Sequence, residues 1–209
     1  MQNGGNPNSI CFWDCRINFA DSVPKETALL QAIKVGDFRK VTFLIESGAN
    51  VNFPARLGIQ QTPLQYAVEL GRDMIVRYLL QKGADANGAP ALGAGATALQ
   101  FAAMKGFCGL AALLLEYKAD INAPATPYNG RTAIEIATEH GRLEMMQYLI
   151  ENGADIISDG GTQYNRARKF AEKNGKITAR NLLDTLYWDA ISNSWIPSMP
   201  EILNEEEWL

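Results

Sequence analysis

The chain has 209 residues, 47% of them hydrophobic, and carries 19 Lys and Arg against 23 Asp and Glu, a net charge of −4. That length suits one ordinary domain, and the composition excludes disorder along the whole chain. The mild negative charge excludes a chain built to neutralise phosphates, so no nucleic-acid partner is expected. No stretch approaches 18 consecutive apolar residues and the opening MQNGGNPNSI lacks the basic start and apolar run of a signal peptide, so no membrane partner is expected either.

Residues 1–25 read as an N-terminal extension. Its first nine residues are Asn/Gly-rich and expected to be mobile, while ICFWDCRINF has enough apolar surface to pack on the first repeat. Cys11, Cys15 and Cys108 form an odd set without a disulfide framework, which points to a reducing compartment, the cytoplasm first and the nucleus second. Cys11 and Cys15 have no neighbouring ligands to complete four zinc positions, so no metal site is expected.

From residue 26 the chain repeats. Thr27, Thr62, Thr97 and Thr132 recur every 35 residues, as do Ala32, Ala67, Ala102 and Ala137, then Gly36, Gly71, Gly106 and Gly141, then Ala49, Ala84, Ala119 and Ala154. Each copy reads as helix, turn, helix and finger. The Thr supplies an oxygen to cap orphan amides, and Pro63 is tolerated in the first turn, where its missing N–H has no partner anyway. Leu29, Leu64, Leu99 and Ile134, with the Ala three positions on, form one apolar stripe of an inner helix. The Gly ends that helix and lets the chain reverse. An outer helix then returns with Val41, Leu44 and Ile45, matched by Val76, Leu79 and Leu80, by Ala111, Leu114 and Leu115, and by Met146, Leu149 and Ile150. No copy can bury both stripes alone, so the copies must stack into an all-α solenoid.

The segments TPLQYAVELG and TALQFAAMKG, with endings GADAN and GADII, resemble the ankyrin repeat, whose units have a Thr-Pro-Leu-His start, a central Gly and a Gly-Ala-Asp ending. The resemblance covers about residues 26–156. It implies an ankyrin-repeat solenoid of four clear units starting near residues 26, 61, 96 and 131, with a degenerate capping unit from about 165, the whole domain spanning 26–185. The family period is near 33, so the 35-residue spacing here implies long finger loops; the APA-type fingers resemble arrays common in filamentous fungi. Two departures stand out. The family's His is replaced by Leu30, Gln65, Gln100 and Glu135, so the usual imidazole bridges must give way to amide or carboxylate bonds, or be absent. Lys118 stands where other copies have Gly48, Gly83 and Gly153, a position that often needs positive φ, so repeat three is expected to end differently.

In the fifth unit the pattern weakens but persists: Ala171 and Gly175 follow Ala137 and Gly141 by 34 residues and Arg166 takes the place of the Thr; Arg166, Arg168 and Lys169 make it polar, as a solenoid end requires. The apolar stripe Leu182, Leu183, Leu186, Tyr187, Ala190 and Ile191 predicts a last helix running to about Ile191. Residues 186–209 form an acidic tail with Asp189, Glu201, Glu205, Glu206 and Glu207, no Lys or Arg, and Trp188, Trp195 and Trp208. It is expected to dock, either on the C-terminal repeats beside Arg166, Arg168 and Lys169 or on another chain through self-association.

No phosphate loop, HExxH or GxSxG pattern occurs, so no catalytic residue and no cofactor are expected. Glu139 and His140 stand side by side without a nucleophile or oxyanion donor, and Cys108 reads as an inert thiol. The glycines of GAPALGAGA follow a helix rather than a strand, unlike a dinucleotide-binding turn. The expected function is therefore a non-catalytic scaffold holding a protein partner on its concave face; the alternative is an enzyme, or enzyme accessory, acting on a small molecule in the concavity or under the tail. The family's variable contact positions correspond to Ile59, Gln61, Glu69, Leu70, Met104, Lys105, Tyr128, Asn129, Arg131, Glu139 and His140.

Overall fold

The computed structural model describes residues 27–55, 61–91, 95–127 and 130–194. The regular elements in this range are all helices. Inner helices α1 (Ala28–Val35), α3 (Pro63–Glu69), α5 (Ala98–Lys105), α7 (Ala133–Glu139) and α9 (Ser158–Lys173) alternate with outer helices α2 (Phe38–Glu46), α4 (Asp73–Gln81), α6 (Cys108–Glu116), α8 (Leu143–Glu151) and α10 (Ile177–Ser194).

The repeated Thr residues start the inner helices as their chemistry dictates. The side-chain oxygens of Thr27, Thr62, Thr97 and Thr132 accept from the amides of Leu30, Gln65, Gln100 and Glu135. In α3, α5 and α7 the bond is reciprocated, because Gln65, Gln100 and Glu135 accept the Thr N–H at 2.9, 2.9 and 3.0 Å. Leu30 has no polar end, so α1 has only half of this arrangement. The outer helices form mainly because they bury Val41, Val76, Ala111 and Met146 against the inner row. α4, α6 and α8 have no side-chain cap, so packing rather than capping carries them.

Leu29, Leu64, Leu99 and Ile134 are buried in one continuous core with the repeated Ala residues. Successive inner helices pack more closely than successive outer ones, since Ala lets their backbones approach, and the stack therefore curves toward its inner side. Three fingers connect the first four units, and an Asn ladder ties each to the next. Asn52 donates to Gly83 O at 2.9 Å and accepts from Asp85 N at 2.8 Å; Asn87 does the same with Lys118 O and Asp120 N, and Asn122 with Gly153 O and Asp155 N.

Three expectations change here. Repeat three does not end differently: Lys118 adopts φ 64 and its amide bonds Leu115 O at 2.9 Å, as Gly83 bonds Leu80 O. The hairpin holds because Asn87 grips the Lys118 carbonyl, so the lysine accepts the left-handed backbone at its own cost. The fifth unit does not begin at Arg166. Asp155 accepts from the amides of Ile157 and Ser158, left-handed residues Asp159, Gly160 and Gly161 kink the chain, and the helix is well under way at Arg166. The last helix runs to Ser194, three residues beyond the predicted end.

Candidate functional site

The eight-residue spacing between the base of a finger and the last turn of the following inner helix brings predicted site residues together in pairs. Gln61 Nε2 donates to Glu69 Oε2 at 2.5 Å, and Arg131 Nε to Glu139 Oε2 at 3.1 Å. The same two places in the middle unit are Ala96, buried, and Met104, half-buried and packed on the core. Glu69, Met104 and Glu139 stand 35 residues apart on inner helices stacked side by side, so they form one row across the array. The row continues to Asn174, whose amide donates to Glu139 Oε1 at 3.4 Å. The Arg131 guanidinium also lies 3.7 Å above the Phe170 ring, a cation–π contact that pins the row to α9.

Beside this row the residues before each central Gly form a second. Val35 is exposed, Leu70 is partly so at 37%, and Lys105 and His140 are exposed. This row is apolar toward the first unit and polar toward the last. The turns beneath are held by side chains from the next unit: Arg72 donates to Lys34 O at 3.0 Å and Arg142 to Met104 O at 3.1 Å. Ile59, Tyr128 and Asn129 lie outside the described residues.

His140 and Glu139 do not converge. The His140 Nδ1 lies 3.1 Å from Ile136 O, while both Glu139 oxygens face Arg131 and Asn174. Cys108 starts α6, and burial pushes its thiol above the ordinary value, which favours the unreactive form.

Sequence reasoning missed the groove between the second and third fingers. It has a volume of about 550 Å³ and is walled by Pro90 and Ala91 on one side and by Pro124, Ala125 and Pro127 on the other, with Asn87 and Asp120 at its foot. Thr126 Oγ1 bridges to Gly95 O at 3.3 Å, so the two walls are tied together. Gly95 is needed there, since a Cβ would lie 2.5 Å from Ala91 N. The Ala-Pro steps at 89–90 and 123–124, which recur in successive fingers, are the signal that could have found it.

Polar wiring beneath the site also replaces the family's imidazole. Gln65 Nε2 donates to Gly88 O at 2.7 Å, and Gln100 Nε2 to Ala123 O at 3.2 Å and Pro124 O at 3.4 Å. Each buried amide thus closes its own helix cap and holds the root of a finger wall. In the fourth unit the residue is Glu135, which cannot donate, and the structure supplies a cation instead: Arg166 Nε lies 3.0 Å from Glu135 Oε1. Burial pushes the Glu135 carboxyl above its ordinary value, opposed by the Thr132 amide and Arg166.

Residues 2–90 and 87–159 match the family model described as ankyrin repeats (3 copies). The chain belongs to the ankyrin-repeat family. The match ends at the Asp159–Gly161 kink, where a finger would otherwise lead into another unit. No curated protein matches the chain at significant similarity. Ankyrin repeats as a class mediate protein–protein interaction, and none of the described helices of this array is long and apolar enough to cross a membrane.

Proposed function

We propose that this ankyrin array is a non-catalytic scaffold that holds a protein partner against its fingers and inner helices. The observation that carries the reading is the preformed face itself: two rows in 35-residue register, centred on Met104 and bordered by the groove between Pro90 and Pro124. Met104 and the groove offer apolar anchors, while Lys105, Glu69 and Arg131 supply orientation around them. The fingers are braced by the Asn ladder, so a partner would meet a surface that needs little ordering. Free Cys108 fits work in a reducing compartment, the cytoplasm or nucleus.

The test compares quantitative capture by the native chain, by Met104→Glu with Lys105→Glu, and by Arg77→Glu with Lys82→Glu on the opposite, outer side. Proteins captured by the native chain should fall about tenfold or more with the inner-side pair and stay with the outer-side pair, as expected of hot-spot loss. Retention with the inner-side pair and loss with the outer-side pair would move the interface to the outer helices.

A further inference from the structure

Among the residues that line the groove between the second and third fingers, only Asp120 is charged. The walls are Ala and Pro: Pro90 and Ala91 face Pro124, Ala125 and Pro127 across about 550 Å³. That volume falls among ordinary ligand sites, which run from about 300 to 1,000 Å³. Residues 86–97 and 121–130, which make up the two fingers, contain no Asp, Glu, Lys or Arg. The groove is therefore an apolar slot with a single carboxylate at its foot.

The fold fixes that carboxylate and leaves it unpaired. Asp120 N donates to Asn87 Oδ1 at 2.7 Å, and Asp120 Oδ1 accepts from the amide of Asn122 at 2.9 Å. Asn87, beside it in the lining, is already committed, because its Nδ2 donates to Lys118 O at 2.8 Å. Asp120 is exposed and makes no ion pair among the described residues. Lys118, two residues before it, does not line the groove. A carboxylate has about four acceptor positions, so a single amide leaves most of them to water. Asp85, at the root of the second finger, is likewise exposed and holds the Asn87 amide at 2.8 Å, so this ladder presents acids one unit apart.

Desolvation decides what such a slot selects. A wholly apolar occupant would take Asp120 out of water and return nothing for the lost hydrogen bonds. A basic side chain meets both demands, because its hydrocarbon stem lies along the apolar walls while its charged head reaches the carboxylate. Arginine suits the site better than lysine: guanidinium is less strongly hydrated, and its planar fork pairs a carboxylate at two points. Resting on the scaffold reading above, we propose that the groove is a subsite for an arginine of the protein partner. Its stem lies between Pro90 and Pro124, its guanidinium on Asp120. The chain's own acidic tail is not this occupant, since residues 195–209, which lie outside the described residues, contain no Lys or Arg.

The test offers the immobilised full chain a positional-scanning library of acetylated, amidated hexapeptides, then measures Kd of the selected peptides by fluorescence anisotropy. Arginine should be enriched at one position, above lysine and well above norleucine, with apolar residues beside it. Asp120→Asn keeps an acceptor for the Asn122 amide and should weaken the selected arginine peptide about tenfold, while its norleucine counterpart stays within about twofold. Asp120→Lys should turn the preference toward Asp or Glu. Ala125→Phe, which fills the groove, should abolish binding of both peptides; if its melting temperature falls, Ala91→Phe fills the groove from the opposite wall. Enrichment of no residue, a native preference for acidic or neutral residues, or arginine binding unchanged in Asp120→Asn would overturn the proposal. The scaffold reading is judged separately. Partner capture that falls with Met104→Glu plus Lys105→Glu but not with Asp120→Asn would keep the scaffold and remove the arginine subsite.

Discussion

Gln100 and Glu135 occupy the same place in consecutive units, both are 1% exposed, and both close a capping box, yet they face different partners. Exchanging their side chains tests whether those partners decide which residue each place accepts. Gln100→Glu keeps the bond from the Thr97 amide but loses both donations to the carbonyls of Ala123 and Pro124. It also buries a carboxylate without the ion pair that Arg166 gives Glu135, since Arg131, the residue 35 positions before Arg166, is engaged by Glu139 and the Phe170 ring. A buried charge without its partner costs about 3 to 5 kcal/mol, and the two long amide bonds about 1 kcal/mol of that total. Glu135→Gln keeps its capping box and removes a buried charge, leaving Arg166, which is 47% exposed, free to turn to water; its change should stay within about 1 kcal/mol.

Urea unfolding of the two variants and the native chain, followed by far-ultraviolet circular dichroism at neutral and mildly acidic pH, measures both differences. The carboxyl introduced at position 100 would have its folded-state pKa raised by burial, so the folded state would take up a proton before the unfolded state on acidification. The penalty of Gln100→Glu should therefore be largest at neutral pH and shrink as pH falls through that raised value. A penalty below about 1 kcal/mol at neutral pH, or one unchanged on acidification, would refute the claim that Gln100 is required as a donor to the finger.

Three further outcomes rest on the same contacts. Lys118→Gly should stabilise the array by about 1 kcal/mol in thermal unfolding, because φ 64 is strained for lysine and free for glycine; destabilisation would mean that the lysine side chain itself holds the turn. Leu99→Ala in the middle unit should cost roughly 2 to 5 kcal/mol in urea, whereas Ile177→Ala, at an exposed position, should cost under about 1 kcal/mol; the reverse order would contradict a core shared between neighbouring units. Asp155 is held below the ordinary aspartate value by hydrogen bonds from Ser158 and Ile157, so its contribution is present above that ordinary value and is lost as pH falls through the lowered one. Asp155→Ala should cost about 1 kcal/mol at neutral pH and nearly nothing in strong acid, and a pH-independent difference in unfolding midpoints would show that the cap is not electrostatic.

The architecture was legible in the chain because its determinants act over three or four residues. Thr27 and its counterparts cap the amide three positions on, and Gly36, Gly71, Gly106 and Gly141 all take the left-handed backbone that ends an inner helix. Such bonds need only the local sequence, and their fixed recurrence then forces stacking, since each unit has an apolar stripe it cannot cover alone. The glycine rule also shows where a purely local reading falls short. Lys118 violates the preference and still forms the same turn, because a side chain 31 residues away, Asn87, holds its carbonyl.

The face was legible only in part. The period alone aligns Glu69, Met104 and Glu139, but the pairs Gln61 with Glu69 and Arg131 with Glu139 depend on how each finger returns to its helix. The groove between Pro90 and Pro124 needs two fingers at once, and Arg166 finds its role only when α9 lies against Glu135. Bonds spanning 23 to 33 residues brace these positions, and in each of them one partner is a backbone group, identical in every residue. By itself the sequence determined the helices, their caps and their order, through short-range chemistry and repeated apolar stripes. Only the tertiary structure decided which carbonyl each buried amide meets and what surface the fingers enclose, because both depend on the packed distance between units rather than on the identity of any one residue.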